Sequence, residues 1–278
     1  MSNVLVLQHP NLASCDLSFI PTAEPNGSIM RITVADSFQL SDEQKEKLNR
    51  QKIDAAVLPD MAFSDLGLIV SDMDSTLITI ECVDEIAAGV GLKEKVAAIT
   101  ERSMRGELDF EQSLRERVGL LKGLDESVLQ RVYNEALQLS PGAEYLLAEC
   151  KKYNVKFMLV SGGFTFFTAR LKESLGFEYD YANELEIENG KLTGRLLGKI
   201  IDAATKEELL KTHRAKLNLK PNQVLAMGDG ANDIPMLKEA GFGVAYRAKP
   251  KTQANADLCV NYNGLEAICG WFRQSPNS

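Results

Sequence analysis

Two styles of apolar and polar patterning follow one another along the chain. In residues 1–64, apolar runs at 4–7, 29–34 and 55–58 read as strands, the last closed by Pro59. Ser41, with Gln44 three residues on, forms a capping box and predicts a helix to Lys52. The segment 10–27 is rich in Pro, Asn and Ser and reads as a loop. This stretch predicts a small α+β unit with no chemistry of its own.

From Gly67 the apolar runs become nearly continuous, at 68–71, 155–160, 224–227, 243–246 and 258–261. Such strands, alternating with helical periodicity, predict an α/β fold with a Rossmann-like parallel sheet covered on both faces. Helices are expected at 82–88, 93–104, 110–121 and 125–139. A parallel crossover needs only one of them, so the surplus predicts an inserted helical cap, 79–140, within a core formed by 65–78 and 141–278. Pro141-Gly142 marks the return to the core, since proline suits a first helical position. Within 182–197, Asn189-Gly190 predicts a type I′ hairpin.

Composition narrows the function classes. At 45% hydrophobic and 25% charged, the chain can bury a core, and disorder is excluded. A net charge of −8 offers no basic field, so neither nucleic acid nor a membrane is an expected partner. An anionic small-molecule substrate would need a cation and focused positive groups. Five cysteines without a CxxC pair fit reduced thiols and a cytoplasmic protein. The first residues lack a basic, apolar leader pattern, and no apolar run approaches the ~20 residues that span a bilayer. The sequence does not set the oligomeric state.

The candidate chemistry sits where core strands end. Asp72-Met-Asp-Ser-Thr follows the first. Two carboxylates one residue apart suit a division of labour, one attacking phosphorus and one moving a proton, although a solvated acidic turn has the same letters. Ser161-Gly162-Gly163 ends the second strand and is expected to open a helix, as an anion site or an ordinary turn. Thr205 and Glu208 read as a capping box that places Lys206 at the first helical position. A cation there opposes the helix dipole, which hints at function but is also tolerated on surfaces. Gly228-Asp229-Gly230-Ala231-Asn232-Asp233 ends the third strand. Asp229 with Asp72, a main-chain carbonyl near Asp74, a phosphate oxygen and waters would complete an octahedron suited to Mg²⁺, while a structural Asp/Gly turn is the bland alternative.

Together these four segments resemble the four motifs of the haloacid dehalogenase superfamily. The resemblance runs from Leu68 to the C-terminus and includes 81–87, 110–117 and 189–194. It implies Asp72 as nucleophile and metal ligand, and Asp74 as general acid/base with its carbonyl on Mg²⁺. Asp229 is implied as a metal ligand supported by Asp233. Ser161, Gly162 and Lys206 would hold phosphate, and Asn232 would help place it. Glu81 and Arg117 would read a substrate's amino and carboxylate groups, while Phe110 and Met104 would shape the pocket. The implied reaction is Mg²⁺-dependent hydrolysis of O-phosphoserine through an aspartyl-phosphate, closing serine biosynthesis. Alternatives are phosphotransfer to another alcohol such as homoserine, and a non-catalytic phospho-amino-acid sensor. Cleavage of a carbon–halogen bond is disfavoured by Asp74. His9 and His213 match no motif and are given no role. Relatives often carry an ACT-type domain in front, and 1–64, short for one, implies a degenerate version.

Overall fold

The structure, a computed structural model, describes residues 2–20 and 27–274, apart from the side chain of Met104. Part of the expected loop at 10–27, residues 21–26, therefore lies outside the described residues, as does the Met104 side chain expected in the pocket. The front unit contains β1 (Asn3–Gln8), β2 (Ile29–Val34), α1 (Asp42–Arg50) and β3 (Asp54–Pro59). Its strands form an antiparallel sheet in the order β2-β1-β3. Ser41 and Gln44 cap α1 reciprocally, so the helix starts where the sequence places it.

Strand periodicity decides how this small sheet is used. Leu5, Leu7, Met30, Leu48 and Ile53 cluster on one side with α1. Val4, Val6, Ala56 and Leu58 point the other way and join the main core beside Phe63, Ile268 and Trp271. The unit is thus docked through a shared apolar layer rather than standing apart. Asp54, 3% exposed, fastens the junction. Its carboxylate accepts from the amides of Asn261 (2.7 Å), Tyr262 (3.1 Å) and Asn263 (2.8 Å), and from Asn263 Nδ2 (2.8 Å).

The main domain begins with β4 (Leu68–Ser71). Four helices follow, α2 (Cys82–Ala88), α3 (Lys93–Met104), α4 (Phe110–Gly119) and α5 (Ser127–Glu135). Then come α6 (Ala143–Lys152), β5 (Lys156–Phe164), α7 (Thr165–Leu175), β6 (Tyr179–Glu188) and β7 (Lys191–Leu197). The chain continues with α8 (Ala203–Lys216), β8 (Val224–Gly228), α9 (Ile234–Glu239) and β9 (Phe242–Tyr246). It closes with α10 (Pro250–Gln253), β10 (Leu258–Val260) and α11 (Glu266–Gly270). The sheet order is β10-β9-β8-β4-β5-β6-β7, parallel except for β7. Along β4, Leu68 and Val70 pack into one apolar cluster and Ile69 into another, so both faces are covered. β4 lies between β8 and β5, where the chain changes direction across the sheet, and ligands bind at the carboxyl ends of strands at such a point.

Several expected boundaries move. The fourth cap helix stops at Glu135 rather than 139, because Leu139 bridges Ile78 and the two cap linkers bond each other. Thr79 N donates to the Gln138 carbonyl and Ser140 N to that of Leu77, both at 2.9 Å. Pro141 is not a first helical residue, since Gly142, at φ +77°, precedes α6. The expected hairpin exists, with Asn189 at φ 51° and Gly190 at φ 74°. It is an extension of the main sheet, however, because β6 starts at Tyr179 and pairs with β5.

Replacing Asp54 strands the amide donors it serves, and each unsatisfied buried group costs about 1–3 kcal/mol. Asp54→Ala is therefore expected to lower stability by at least about 3 kcal/mol in urea unfolding. A loss below about 0.5 kcal/mol, typical of an ordinary surface change, would show that Asp54 does not fasten the two sheets.

Candidate active site

The loop after β4 is bent so that two carboxylates share one side. Asp72 and Asp74 are extended, while Ser75 takes the left-handed region at φ 54°. That conformation costs a non-glycine residue about 1–3 kcal/mol and occurs where the surroundings enforce it. Here the turn closes through Ile78 N to the Met73 carbonyl at 3.0 Å, and the Ser75 hydroxyl donates to Glu81 Oε1 at 2.7 Å. Asp72, Asp74, Ser75 and Glu81 all line one cleft of about 790 Å³ between the cap and the strand ends.

Lys206 reaches this loop from below. It is fully buried, and its Nζ donates to Asp72 Oδ1 at 2.6 Å and to Asp233 Oδ1 at 2.7 Å. Burial works against its charge, but Asp233 and Asp72 outweigh that and hold the ammonium above its ordinary pKa. Its helical position differs from the one expected. Asp202 is the N-cap, accepting from Thr205 N at 2.8 Å, so α8 starts at Ala203 and Lys206 lies past its first three residues. Glu208 pairs with Lys199 instead of completing a capping box. The dipole conflict at the first position therefore does not arise, and burial between two acids is what marks Lys206.

Ser161 and Gly162 line the cleft on the other side, with Gly163. They do not open a helix as expected, because β5 runs on to Phe164 and α7 begins at Thr165. The Ser161 hydroxyl accepts from Gly163 N at 2.8 Å. A Cβ on Gly162 would lie 2.9 Å from Phe110 Cζ, so the cap reaches down onto this strand end. A Cβ on Gly163 would lie 3.2 Å from Asp74 Oδ2 and 2.9 Å from Met73 Cε, which explains why bare backbone stands there.

Past β8, carboxylate oxygens of Asp72, Asp229 and Asp233 lie within 4.8 Å of one another. Asp233 is occupied from within, since its Oδ2 accepts from Gly230 N at 3.0 Å and its Oδ1 holds Lys206. Asp72 and Asp229 keep oxygens facing the cleft, and such a hard, all-oxygen set suits a divalent cation. Burial, then Asp233 and Glu81, raise Asp229 to about 6. Burial and Asp233 push Asp72 up as well, against the pull of Lys206, and a bound cation would oppose both rises. Asp74 is raised to about 7 by burial and then by Glu81, with hydrogen bonds from Cys82 and the charge of Lys206 pulling down. Its Oδ1 is buried with no hydrogen-bond partner among the described residues. A carboxyl poised near neutrality can both give and take a proton.

Arg117 and Asn232 also line the cleft, so eight of the ten residues singled out from the sequence share that surface, while Lys206 and Asp233 lie just beneath it. Arg117 Nε is held by the Ser113 carbonyl at 3.3 Å. His213 stands apart, sandwiched near Tyr179 and Tyr181. The sequence reading missed Ser75, Asp84, Lys249 and Thr252, all of which line the cleft. Lys249-Pro250, starting a helix past the end of β9, was a usable signal for the last two.

Residues 69–238 match the model of the haloacid dehalogenase-like hydrolases, and the chain belongs to that family. It is 50% identical over 215 residues to a phosphoserine phosphatase of Polaromonas sp., covering 76% of this chain and 91% of that one. The crystal structure of a haloacid dehalogenase family hydrolase from Salmonella enterica serovar Typhi superposes with a TM-score of 0.85 at 32% identity, covering 97% and 98% of the two chains. That of a probable phosphoserine phosphatase from Vibrio cholerae gives 0.80 at 38% identity, covering 97% and 85%.

Removing Lys206 leaves two buried carboxylates facing each other. Lys206→Met is expected to cost about 3–5 kcal/mol at neutral pH, by denaturant unfolding. Asp72, already pushed up by burial and Asp233, would lose the pull of Lys206 and rise further above its unfolded value, so the folded state would bind the extra proton. The deficit should therefore be larger at pH 8 than at pH 5, and a deficit independent of pH would contradict the electrostatic account.

Proposed function

We propose that this cleft hydrolyses O-phosphoserine to L-serine and phosphate through an aspartyl-phosphate on Asp72, with Mg²⁺ as its cation. The observation that carries this is the pairing of two unlike carboxyls on one turn. Asp72 is clamped by Lys206, while Asp74 is raised to about 7 and has a bare oxygen. The similarity to phosphoserine phosphatases over most of the chain supports the substrate.

In the first step a carboxylate oxygen of Asp72 bonds to phosphorus while the bond from phosphorus to the serine oxygen breaks. Asp74 gives its proton to the departing alkoxide. In the second step Asp74, now anionic, takes a proton from a water that attacks the phosphorus of phospho-Asp72. Phosphate leaves, and both aspartates return to their starting states. Lys206 offsets charge on the transferring group. The Ser161 hydroxyl and the Gly162 backbone hold the phosphate oxygens, and Asn232 helps place them. Glu81 matches the substrate's ammonium and Arg117 its carboxylate, charge-assisted contacts that fix which phosphomonoester fits. Asp72, Asp229 and the Asp74 carbonyl would hold Mg²⁺, with Asp233 in support, and the ion would supply charge stabilisation to the phosphoryl group. The carboxyl groups of Asp72, Asp74, Glu81, Asp84, Asp229 and Asp233 outnumber the cations Arg117, Lys206, Lys249 and Lys251 in and beneath the cleft, so a metal ion also relieves the repulsion a phosphate dianion would meet.

In this reading 79–140 form the cap, 65–78 with 141–278 the catalytic core, and 1–64 a degenerate ACT-like accessory unit. No helix among the described residues is long and apolar enough to cross a membrane. A cytoplasmic place, as the closing step of serine biosynthesis, follows from the chemistry proposed.

Asp72→Asn should abolish turnover and leave no hydroxylamine- and alkali-labile phosphoenzyme after acid quenching, the lability expected of an acyl phosphate; retained activity would exclude the covalent route. Asp74→Asn should slow turnover by about 10²–10⁴-fold, the usual contribution of a general acid/base. Arg117→Ala should lower kcat/KM for O-phosphoserine by about 10–100-fold, the worth of a charge-assisted bond, while sparing O-phosphoethanolamine, which lacks the carboxylate. Equal losses on both substrates would argue against carboxylate recognition. Mg²⁺ at about 100 times its Kd should stabilise the protein by about 2.7 kcal/mol in thermal unfolding, and Asp229→Ala should remove that gain.

A further inference from the structure

The proposed phosphate cradle is assembled from distant parts of the chain. Ser161 and Gly162 belong to β5, and Lys206 is delivered by α8. One side chain touches both approaches. Asn183, on β6 and 1% exposed, donates from Nδ2 to the Gly162 carbonyl at 2.8 Å. Its Oδ1 accepts from Ile201 N at 2.8 Å, in the turn that leads into α8. That turn is locked to the helix in its own right, since Thr205 Oγ1 donates to the Ile200 carbonyl at 3.3 Å and Asp202 caps Thr205.

The strand ladder shows why such a brace is needed. β5 and β6 pair Val160 with Tyr181 and then Phe164 with Asn183, so the register shifts across 161–163. Extra residues bulge from β5 there, and a bulge re-aims side chains at the cost of ladder bonds. The bulge carries the residues that line the cleft, and the carboxamide of Asn183 supplies the bond that the ladder lacks at Gly162.

We infer that Asn183 is a positioning residue, a spacer that sets the distance between the Ser161–Gly162 end of the cradle and the Lys206 end. This role rests on the assignment of those residues to phosphate. A carboxamide gives a donor to one side and an acceptor to the other at the same reach. A carboxylate would set an acceptor against the Gly162 carbonyl, and an apolar side chain would leave both buried groups without partners.

The test compares wild type, Asn183→Ala and Asn183→Asp in O-phosphoserine turnover, inhibition by inorganic phosphate and inhibition by L-serine. In both variants kcat should fall by about 10–100-fold and the phosphate inhibition constant should rise about 10-fold, the scale of an ångström-level misplacement. The L-serine constant, governed from the Glu81 and Arg117 side, should stay within about 2-fold if only the phosphate end has moved. A lowered melting temperature with an unchanged phosphate constant would overturn the inference, as would failure of both variants to fold, since Asn183 would then be purely structural. Wild-type protein that neither turns over O-phosphoserine nor is inhibited by phosphate would overturn the underlying assignment instead, so the two failures are distinguishable.

Discussion

One ammonium held out of water between two carboxylates governs the arrangement of this molecule. Lys206 bonds Asp72 and Asp233, which follow the neighbouring strands β4 and β8. A buried charge is tolerated only when its partners are fixed and close, because desolvation costs several kcal/mol per ion. The sheet provides the fixing. Strands with fully buried residues hold the two acids, and α8 approaches from the side to deliver the amine. The triad still carries an excess of negative charge, and Asp229 adds to it. Such a cluster is a poor surface for a phosphate and a good one for a hard cation, so the same interaction that orders the core also fixes what must bind beside it.

The cap changes the chemistry of the loop beneath it. Glu81 sits at the root of α2, bonded to Ser75 and close enough to raise Asp74. The residue proposed to meet the substrate's ammonium is therefore also one that raises the proton affinity of the carboxyl proposed as the general acid. An ammonium arriving beside Glu81 would weaken that effect, and under the proposed roles this would link recognition at the cap to proton transfer at the core. Phe110 over Gly162 brings the cap to the proposed phosphate end as well.

Much of this was legible in the residues, for definite reasons. Strands buried on both faces read as unbroken apolar runs, so the core strands and their carboxyl ends were recoverable, and the chemistry collects at those ends. Local signals failed where two were in competition. Asp202 and Thr205 are both plausible caps, and the earlier one won because its carboxylate reaches Thr205 N. Ser161-Gly162-Gly163 looked like a helix start because glycine usually breaks strands, yet β6 continues to pair beyond it through Phe164. Asn183 was invisible, since its two partners are brought to it only by the fold. The front unit read as separate because alternation shows that a strand has two faces but not what the second face will meet.

Among the described residues, the main chain of the cap bonds the rest of the molecule in two places. At its root, the paired linkers around Ile78 and Leu139 form a short two-stranded neck. At its flank, the connection between α4 and α5 bonds the tip of the β6–β7 hairpin. There Gly123 N donates to the Leu192 carbonyl, Leu192 N to that of Leu124, and Glu126 N to that of Gly190. A body pinned at one point can swivel freely, whereas one pinned at two can rotate only about the line joining them. The least constrained displacement of this cap is therefore a single-axis tilt about the line from the neck to the hairpin tip.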